Sequence, residues 1–295
     1  VAVMRRDSEK AKDYSKRHNV SKWYDDAYRL INDPGVNAIY VATPPSTHEE
    51  YTIGAINAGK PVYVEKPMSV NVSSATNMMI AAQEKNIKLS VSHYRREQPL
   101  FRKIKELLDE KAIGEVRVIN LLYHKRPLTG AELSNPRIAW RVSTDIAGGG
   151  LFNDLAPHQL DLMIYFFGQA EKVSGMATNQ AHLYSADDVV AGNILFSNGV
   201  LFSGSWCFTT NEMNETDKCE IIGSKGKISF SVFDNREISV TINEKIEIIP
   251  FDKLAHVQQP MIQKVVEYFL GESSNPCSGK DGVEVMRLID IFTGQ

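Results

Sequence analysis

Lys66, Asp154 and His158 are the side chains here whose types and placement fit one chemistry, the movement of a proton on and off a substrate hydroxyl. Lys66 stands in Glu65-Lys66-Pro67, directly after the apolar run Pro61-Val62-Tyr63-Val64. A lysine at the carboxyl end of a parallel strand lies where open α/β sheets bind ligands. Its ammonium can stabilise negative charge that develops on a substrate oxygen. Asp154 and His158 stand in the stretch Gly148-Gly149-Gly150-Leu151-Phe152-Asn153-Asp154-Leu155-Ala156-Pro157-His158-Gln159-Leu160-Asp161. There Asp154, His158 and Asp161 fall at i, i+4 and i+7, one face of a helix. Imidazole titrates near neutral pH and can take the hydroxyl proton. Asp154 can orient the hydroxyl or hold Lys66 charged, and Asp161 can brace His158. Purely structural readings compete at each position. Lys66 can be a solvated strand-end lysine, His158 a hydrogen-bonded helix-face histidine, Asp154 a carboxylate favoured by the helix dipole, and Asp161 is as readily structural as functional. The same spacing also permits a shared metal ion, but no other Cys/His cluster supports one.

The elements that must position these groups are legible in the hydrophobic pattern. Val1–Met4 reads as a strand, residues 8–18 and 24–32 as helices, and Val36 to Val41 as a buried strand. A helix follows Thr43-Pro44-Pro45, with Ser46 and Glu49 at capping-box spacing and Gly59 past its end. A strand at 61–64, a helix at 70–84 and a strand from Ile87 to Ser92 continue the alternation, which predicts a parallel sheet with right-handed crossovers. The pattern changes after residues 93–97. A helix at 98–110, a strand at 115–123 and the Asp154 helix ending at Gly168 precede many short alternating runs over 171–250, broken by Ser197-Asn198-Gly199 and Ser224-Lys225-Gly226. Val200, Phe202, Trp206 and Phe208 share one strand face. Helices near 257–270 and 280–293 close the chain. The expected architecture is α/β, a Rossmann-type parallel sheet over residues 1–95 followed by an α+β domain over 96–295 with a large, mostly antiparallel open sheet.

Composition narrows the functional classes. The chain has 295 residues, 43% apolar and 23% charged, ordinary for a globular protein with two cores. A formal charge of -3 supplies no basic field, so nucleic acid is not an expected partner. No apolar run approaches the ~20 residues that span a bilayer, and no signal segment opens the chain. Cys207, Cys219 and Cys277 are odd in number with no CxxC pair, which fits a reduced, cytoplasmic protein. A dinucleotide fold usually carries G-x-G-x-x-G between its first strand and helix, and this sequence has none. Val1–Met4 reads as the second strand of such a fold, so one strand–loop–helix step of about 30 residues is expected before Val1. Without it the sheet would lack its central strand and cofactor binding would be impaired.

Ala42-Thr43-Pro44-Pro45-Ser46-Thr47-His48, Ala58-Gly59-Lys60-Pro61-Val62-Tyr63-Val64-Glu65-Lys66-Pro67 and the Gly149–Asp161 stretch, in this order, resemble the glucose–fructose oxidoreductase / inositol dehydrogenase / rhizopine catabolism (Gfo/Idh/MocA) family, from Val1 to about Phe292. The resemblance implies a nicotinamide-dependent dehydrogenase or reductase acting on a hydroxyl of a sugar, polyol or related ring. Lys66 and His158 match the family's catalytic lysine and acid/base, with Asp154 beside them, and the Lys66-Pro67 bond is expected to be cis. Arg5 and Arg6 stand where an acidic residue would bind the ribose of NAD, which points to NADP rather than NAD, unless Asp7 takes that role through a one-residue slip. Thr43, Pro44, His48, Glu65, Trp140 and Arg141 match cofactor contacts, although Pro45 replaces a common Asn and Trp140 can equally be core. Tyr94 and Arg95, with Arg96, His93, Tyr123 and His124 as weaker candidates, would line the substrate cleft. Loops 125–145 and 209–217 would read hydroxyl stereochemistry. The resemblance also implies a homodimer or homotetramer through the C-terminal sheet. The competing readings are a non-catalytic NAD(P)-sensing regulator of the same fold and, more weakly, a metal-dependent isomerase.

Overall fold

The computed structural model describes residues 1–234 and 236–295. The first part alternates β1 (Ala2–Met4), α1 (Ser8–Arg17), β2 (Lys22–Tyr24), α2 (Ala27–Ile31), β3 (Ile39–Val41), α3 (His48–Asn57), β4 (Val62–Val64), α4 (Val72–Glu84) and β5 (Leu89–Val91). All pairings here are parallel: β1 with β2, and β3–β4–β5 as a second sheet. Strands β4 and β5 are buried at every residue, as a parallel sheet covered on both faces requires. The facing edges of β1 and β3 do not pair. Between them lies an open groove of about 810 Å³, lined by Val3, Arg5, Arg6, Tyr40, Val41, Thr43 and Pro44.

After α5 (Pro99–Asp109) and β6 (Val116–His124) come three short helices, α6 (Gly130–Leu133), α7 (Pro136–Ala139) and α8 (Thr144–Ala147), then α9 (Gly150–Phe167). Strands β7 (Ala170–Thr178), β8 (Val189–Phe196), β9 (Leu201–Cys207), β10 (Thr216–Gly223), β11 (Gly226–Phe230), β12 (Glu237–Ile242) and β13 (Lys245–Pro250) join β6 in an eight-stranded sheet. Its order is β13-β12-β11-β10-β6-β9-β8-β7, antiparallel except for the β6–β9 pair. Both expected turn signals form hairpins, β8–β9 and β10–β11. Val200, Phe202, Trp206 and Phe208 are all buried on the inner face. The fold is therefore a parallel Rossmann-type unit followed by an α+β unit built on a large, mostly antiparallel sheet.

Helix α9 is the central element. Fifteen of its eighteen residues are buried, so it is a core helix rather than a surface one. Phe152 packs edge-on against Trp206 at 5.1 Å, and Trp206 Nε1 donates to Gln159 Oε1 at 2.6 Å, which fixes α9 on the inner sheet face. Helices α10 (Gln259–Leu270) and α11 (Gly279–Thr293) close the chain. Helix α11 returns to the first unit, where it packs on α4, and Val91 N donates to Cys277 O at 3.0 Å just before it.

Two glycine-dependent contacts bring the site elements together. Gly148 has φ +89, and a Cβ there would sit 2.7 Å from the Val70 carbonyl oxygen, so the start of α9 can lie against the chain that follows Lys66-Pro67 only because residue 148 has no side chain. On the far side of the core, Phe292 of α11 fills the space a Cβ of Gly192 would need.

Three local expectations are corrected. Residues 22–24 form β2, where a helix from 24 was expected. Trp23 and Tyr24 favour a strand, and Asp26 starts α2 by accepting from Arg29 N. The Ser46/Glu49 capping box does not form. Pro44-Pro45 instead opens a 3₁₀ turn over Pro45–Thr47, and the Thr47 hydroxyl bonds Thr43 Oγ1. Finally, the stretch before α9 holds α6 to α8, short capped turns that carry no long apolar period.

Candidate active site

Lys66 follows the end of β4 and its peptide bond to Pro67 is cis. Its backbone is held by Glu65. That carboxylate accepts from Lys66 N at 3.1 Å, Gln258 Nε2 at 2.9 Å, Ser92 Oγ at 3.2 Å and the Tyr40 hydroxyl. Glu65 thus anchors the lysine loop with four protein donors, whereas it was expected at the cofactor ribose. His48 is also displaced from its expected role. It is fully buried, with Nε2 2.7 Å from Thr43 O and Nδ1 3.0 Å from Pro67 O. It therefore clips the loop after β3 to the loop after β4 and turns no surface to the groove.

The ammonium of Lys66 reaches α9. Nζ donates to Asp154 Oδ1 at 2.8 Å and to the Asp154 carbonyl at 2.8 Å. Pro157 matters here. It has no N–H to offer the carbonyl one turn back, at Asn153, and the adjacent Asp154 carbonyl is the one that takes the lysine. The other carboxylate oxygen of Asp154 accepts from Arg141 Nε at 2.9 Å. Arg141 lies over the Trp140 ring at 4.7 Å, and both side chains bond the Arg137 carbonyl. Asp154 is thus a carboxylate between two cations, with only 13% of its side chain and of the Lys66 side chain exposed.

His158 lies one turn further along α9. Its ring packs edge-on against Tyr94 at 5.1 Å and Phe233 at 5.8 Å, and its Nδ1 is buried without a partner. Burial pushes this imidazole well below its ordinary value, and the charges of Lys66 and Arg95 push the same way. Burial therefore favours the neutral form of the ring.

Asp161 does not brace His158. It forms a bidentate pair with Arg96, Nε to Oδ2 at 2.9 Å and Nη2 to Oδ1 at 2.6 Å, and sits 3.9 Å from His93 Nδ1. One helical face thus serves three destinations: Asp154 the lysine, His158 the aromatic rings, Asp161 a buried arginine. Those separate commitments do not suit a shared metal ion. Among the described residues no group of three or more His, Cys, Asp or Glu side chains is arranged to hold one.

Other candidates divide. Tyr94 and Tyr123 are on the site side, with Tyr123 4.9 Å from Phe233. His124 is not. It alternates to the opposite face of β6 and approaches Ser205 Oγ at 3.3 Å. Arg5 and Arg6 edge the groove, Arg6 Nη2 bonding the Tyr51 hydroxyl at 3.3 Å. Asp7 is occupied as the cap of α1, accepting from Glu9 N and Lys10 N. Sequence reasoning missed Phe233 and its support. Asp217 accepts the amides of Val232, Phe233 and Asp234 at 3.1, 2.6 and 3.3 Å, which fixes the turn that carries the ring. Asp217 stands directly opposite Tyr123 in the β10–β6 register, a pairing invisible without the sheet.

Residues 1–93 match the model of the oxidoreductase family with an NAD-binding Rossmann fold, and residues 101–229 match the Gfo/Idh/MocA C-terminal domain. Oxidoreductase P35 of Formosa agariphila is 43% identical over 294 residues, all of this chain and 90% of that protein. The chain belongs to the Gfo/Idh/MocA oxidoreductases. It is similar to 1,5-anhydro-D-fructose reductase of Ensifer adhaerens, 28% identical over 96% of this chain and 84% of that one. Its fold matches a levoglucosan dehydrogenase solved with NADH and levoglucosan, with a TM-score of 0.87 over 99% of this chain and 86% of that chain at 24% identity. This Gfo/Idh/MocA chain is thus an NAD(P)-dependent dehydrogenase or reductase. The sensor alternative finds no support among these relatives. No helix among the described residues is long and apolar enough to cross a membrane.

The buried histidines make stability pH-dependent. Burial lowers the pKa of His48, His93 and His158, so the unfolded chain binds more protons below its ordinary histidine value of about 6.5. Their contribution is complete above that pH and is lost as pH falls below it. The urea midpoint should drop between pH 7 and 5, and His158→Gln should flatten that drop. An identical pH slope in the variant contradicts the burial-driven shift.

Proposed function

We propose that this enzyme interconverts a hydroxyl and a ketone on a sugar-like ring, with Lys66, Asp154 and His158 as its catalytic groups. The observation that carries the reading is the ammonium of Lys66, held on Asp154 one helical turn from a neutral, buried imidazole. A nicotinamide dinucleotide, when bound, supplies the hydride acceptor or donor. The residues present fit such a group at its two ends. Arg5 and Arg6, just past β1, and Thr43 and Pro44, just past β3, stand at the carboxyl ends of parallel strands, where open α/β sheets bind such ligands. The two arginines at the ribose position support NADP over NAD.

In the oxidation direction the substrate hydroxyl takes a place beside Lys66 and His158. His158 accepts the hydroxyl proton, and Lys66 stabilises the negative charge that builds on the oxygen. Asp154 keeps the ammonium aimed, and Arg141 on its second oxygen keeps the carboxylate from turning away. Tyr94 and Phe233 exclude water around the imidazole. In the reduction direction the same groups return the proton. The identity of the relatives supports a sugar or anhydro-sugar as the substrate class. Leu122, Leu201 and Met176 lie exposed on the outer face of the large sheet, which supports its use as the contact between copies of this chain.

Lys66→Met and His158→Asn should each lower kcat by about 10²–10⁴ while dinucleotide affinity stays nearly unchanged. Steady-state rates on levoglucosan and 1,5-anhydro-D-fructose, with cofactor titration by fluorescence, check this, and full rate in both variants would sink the assignment. Arg5→Asp should weaken NADP roughly 10–100-fold with little effect on NAD. Equal loss for both dinucleotides contradicts the NADP preference.

A further inference from the structure

Arg95 is buried, with 8% of its surface exposed, and no carboxylate pairs with it among the described residues. Among the described residues its side chain donates from Nη1 to the Val232 carbonyl at 2.7 Å, and its Nε is buried without a partner. The nearest influence from an acid is that of Asp217, whose oxygens are already committed to three backbone amides. A buried cation left without an anion costs several kcal/mol, and most such groups are paired. Aromatic faces offset part of this. The guanidinium lies 4.6 Å from the Phe233 ring, 5.6 Å from Tyr94 and 6.0 Å from Phe101. Neighbouring Arg96, by contrast, has Asp161 in a bidentate pair.

The position of Arg95 is as informative as its lack of a partner. The same two rings that carry the guanidinium, Tyr94 and Phe233, also carry the His158 imidazole, at 5.1 and 5.8 Å. The cation therefore stands across one aromatic pair from the acid/base. The turn that presents Phe233 and the Val232 carbonyl is clamped by Asp217, so the arrangement is held before any ligand arrives.

We propose that Arg95 receives a carboxylate of the substrate, so that the ring handled by this enzyme is a sugar acid of the uronate class. The proposal rests on the reading of Lys66, Asp154 and His158 as the site of hydroxyl oxidation and adds the charge of the substrate to it. An anion seated on Arg95 supplies the missing counter-charge and leaves the carbinol carbon on the His158 side of the two rings. Arg95 is then a specificity residue: neutral sugars leave its guanidinium unpaired in the closed site.

The test is calorimetric titration of the full chain, in NADP+ and separately in NAD+, with D-glucuronate against D-glucose and D-galacturonate against D-galactose. At least one acid should bind about tenfold or more tighter than its neutral partner, the ratio should collapse toward one in Arg95→Met, and Arg95→Lys should keep part of it. Neutral sugars binding as well as the acids, no binding by either acid, or a ratio unmoved in Arg95→Met overturns the proposal. A readout without ligand separates this role from a structural one. Arg95→Met should melt no lower than the wild type, since it removes an unpaired buried charge, and a fall of several degrees assigns Arg95 to packing and overturns the proposal. Loss of rate in Lys66→Met with no acid preference leaves the hydride-transfer reading standing and removes only the inference about Arg95. A clear acid preference with full rate in Lys66→Met does the reverse.

Discussion

The hydrogen bonds from Lys66 Nζ to Asp154 join the two halves of this protein at the point where the chemistry is proposed to occur. One partner ends a strand of the parallel sheet and the other begins the central helix of the second unit. Much of the surrounding structure fixes one end of that contact. Glu65 gathers four donors around the lysine backbone, and His48 ties the lysine loop to the loop after β3. On the other side, Gly148 lets the start of α9 approach Val70, and the Trp206–Gln159 bond holds α9 on the large sheet. A partly buried pair of this kind adds modest net stability, because desolvation offsets much of the attraction. Its value is positional: the ammonium is delivered to one place.

Charge is arranged asymmetrically around that contact. Asp154 faces two cations, Lys66 and Arg141, while Arg95 stands nearby with no carboxylate on it among the described residues. Burial disfavours the protonated form of His158, and this excess of positive charge pushes the same way. A neutral imidazole beside a charged ammonium is the arrangement that hydroxyl oxidation needs, a proton acceptor next to a stabiliser of negative charge. The same local field favours an anionic ligand, so catalytic electrostatics and the inferred acid specificity have one origin.

Periodicity made most of the fold legible, since each signal was local. Buried Val and Ile runs marked β3 to β5, alternation marked the inner face of β9, and turn dipeptides marked two hairpins. Lys66, Asp154 and His158 came together because two short motifs carried them and because the helical period put the last two on one face. The period could not say what that face would meet. Asp161 went to Arg96, His48 became a loop clip and Glu65 an anchor, each decided by long-range packing. Phe233 and Asp217 were unreadable for the same reason: their importance arises from register across β6 and β10 and from a turn that no motif announces. Pro157 was a local signal passed over, a helix-interior proline beside the carbonyl that receives the lysine.

A double-mutant cycle on kcat/KM with Lys66→Met, Asp154→Ala and the combined variant tests most directly whether these two side chains act as one unit. The account predicts strong coupling, with the double variant losing little more than the worse single one, an interaction of about 2 kcal/mol or more. Losses that simply multiply, with each residue acting independently of the other, would contradict it.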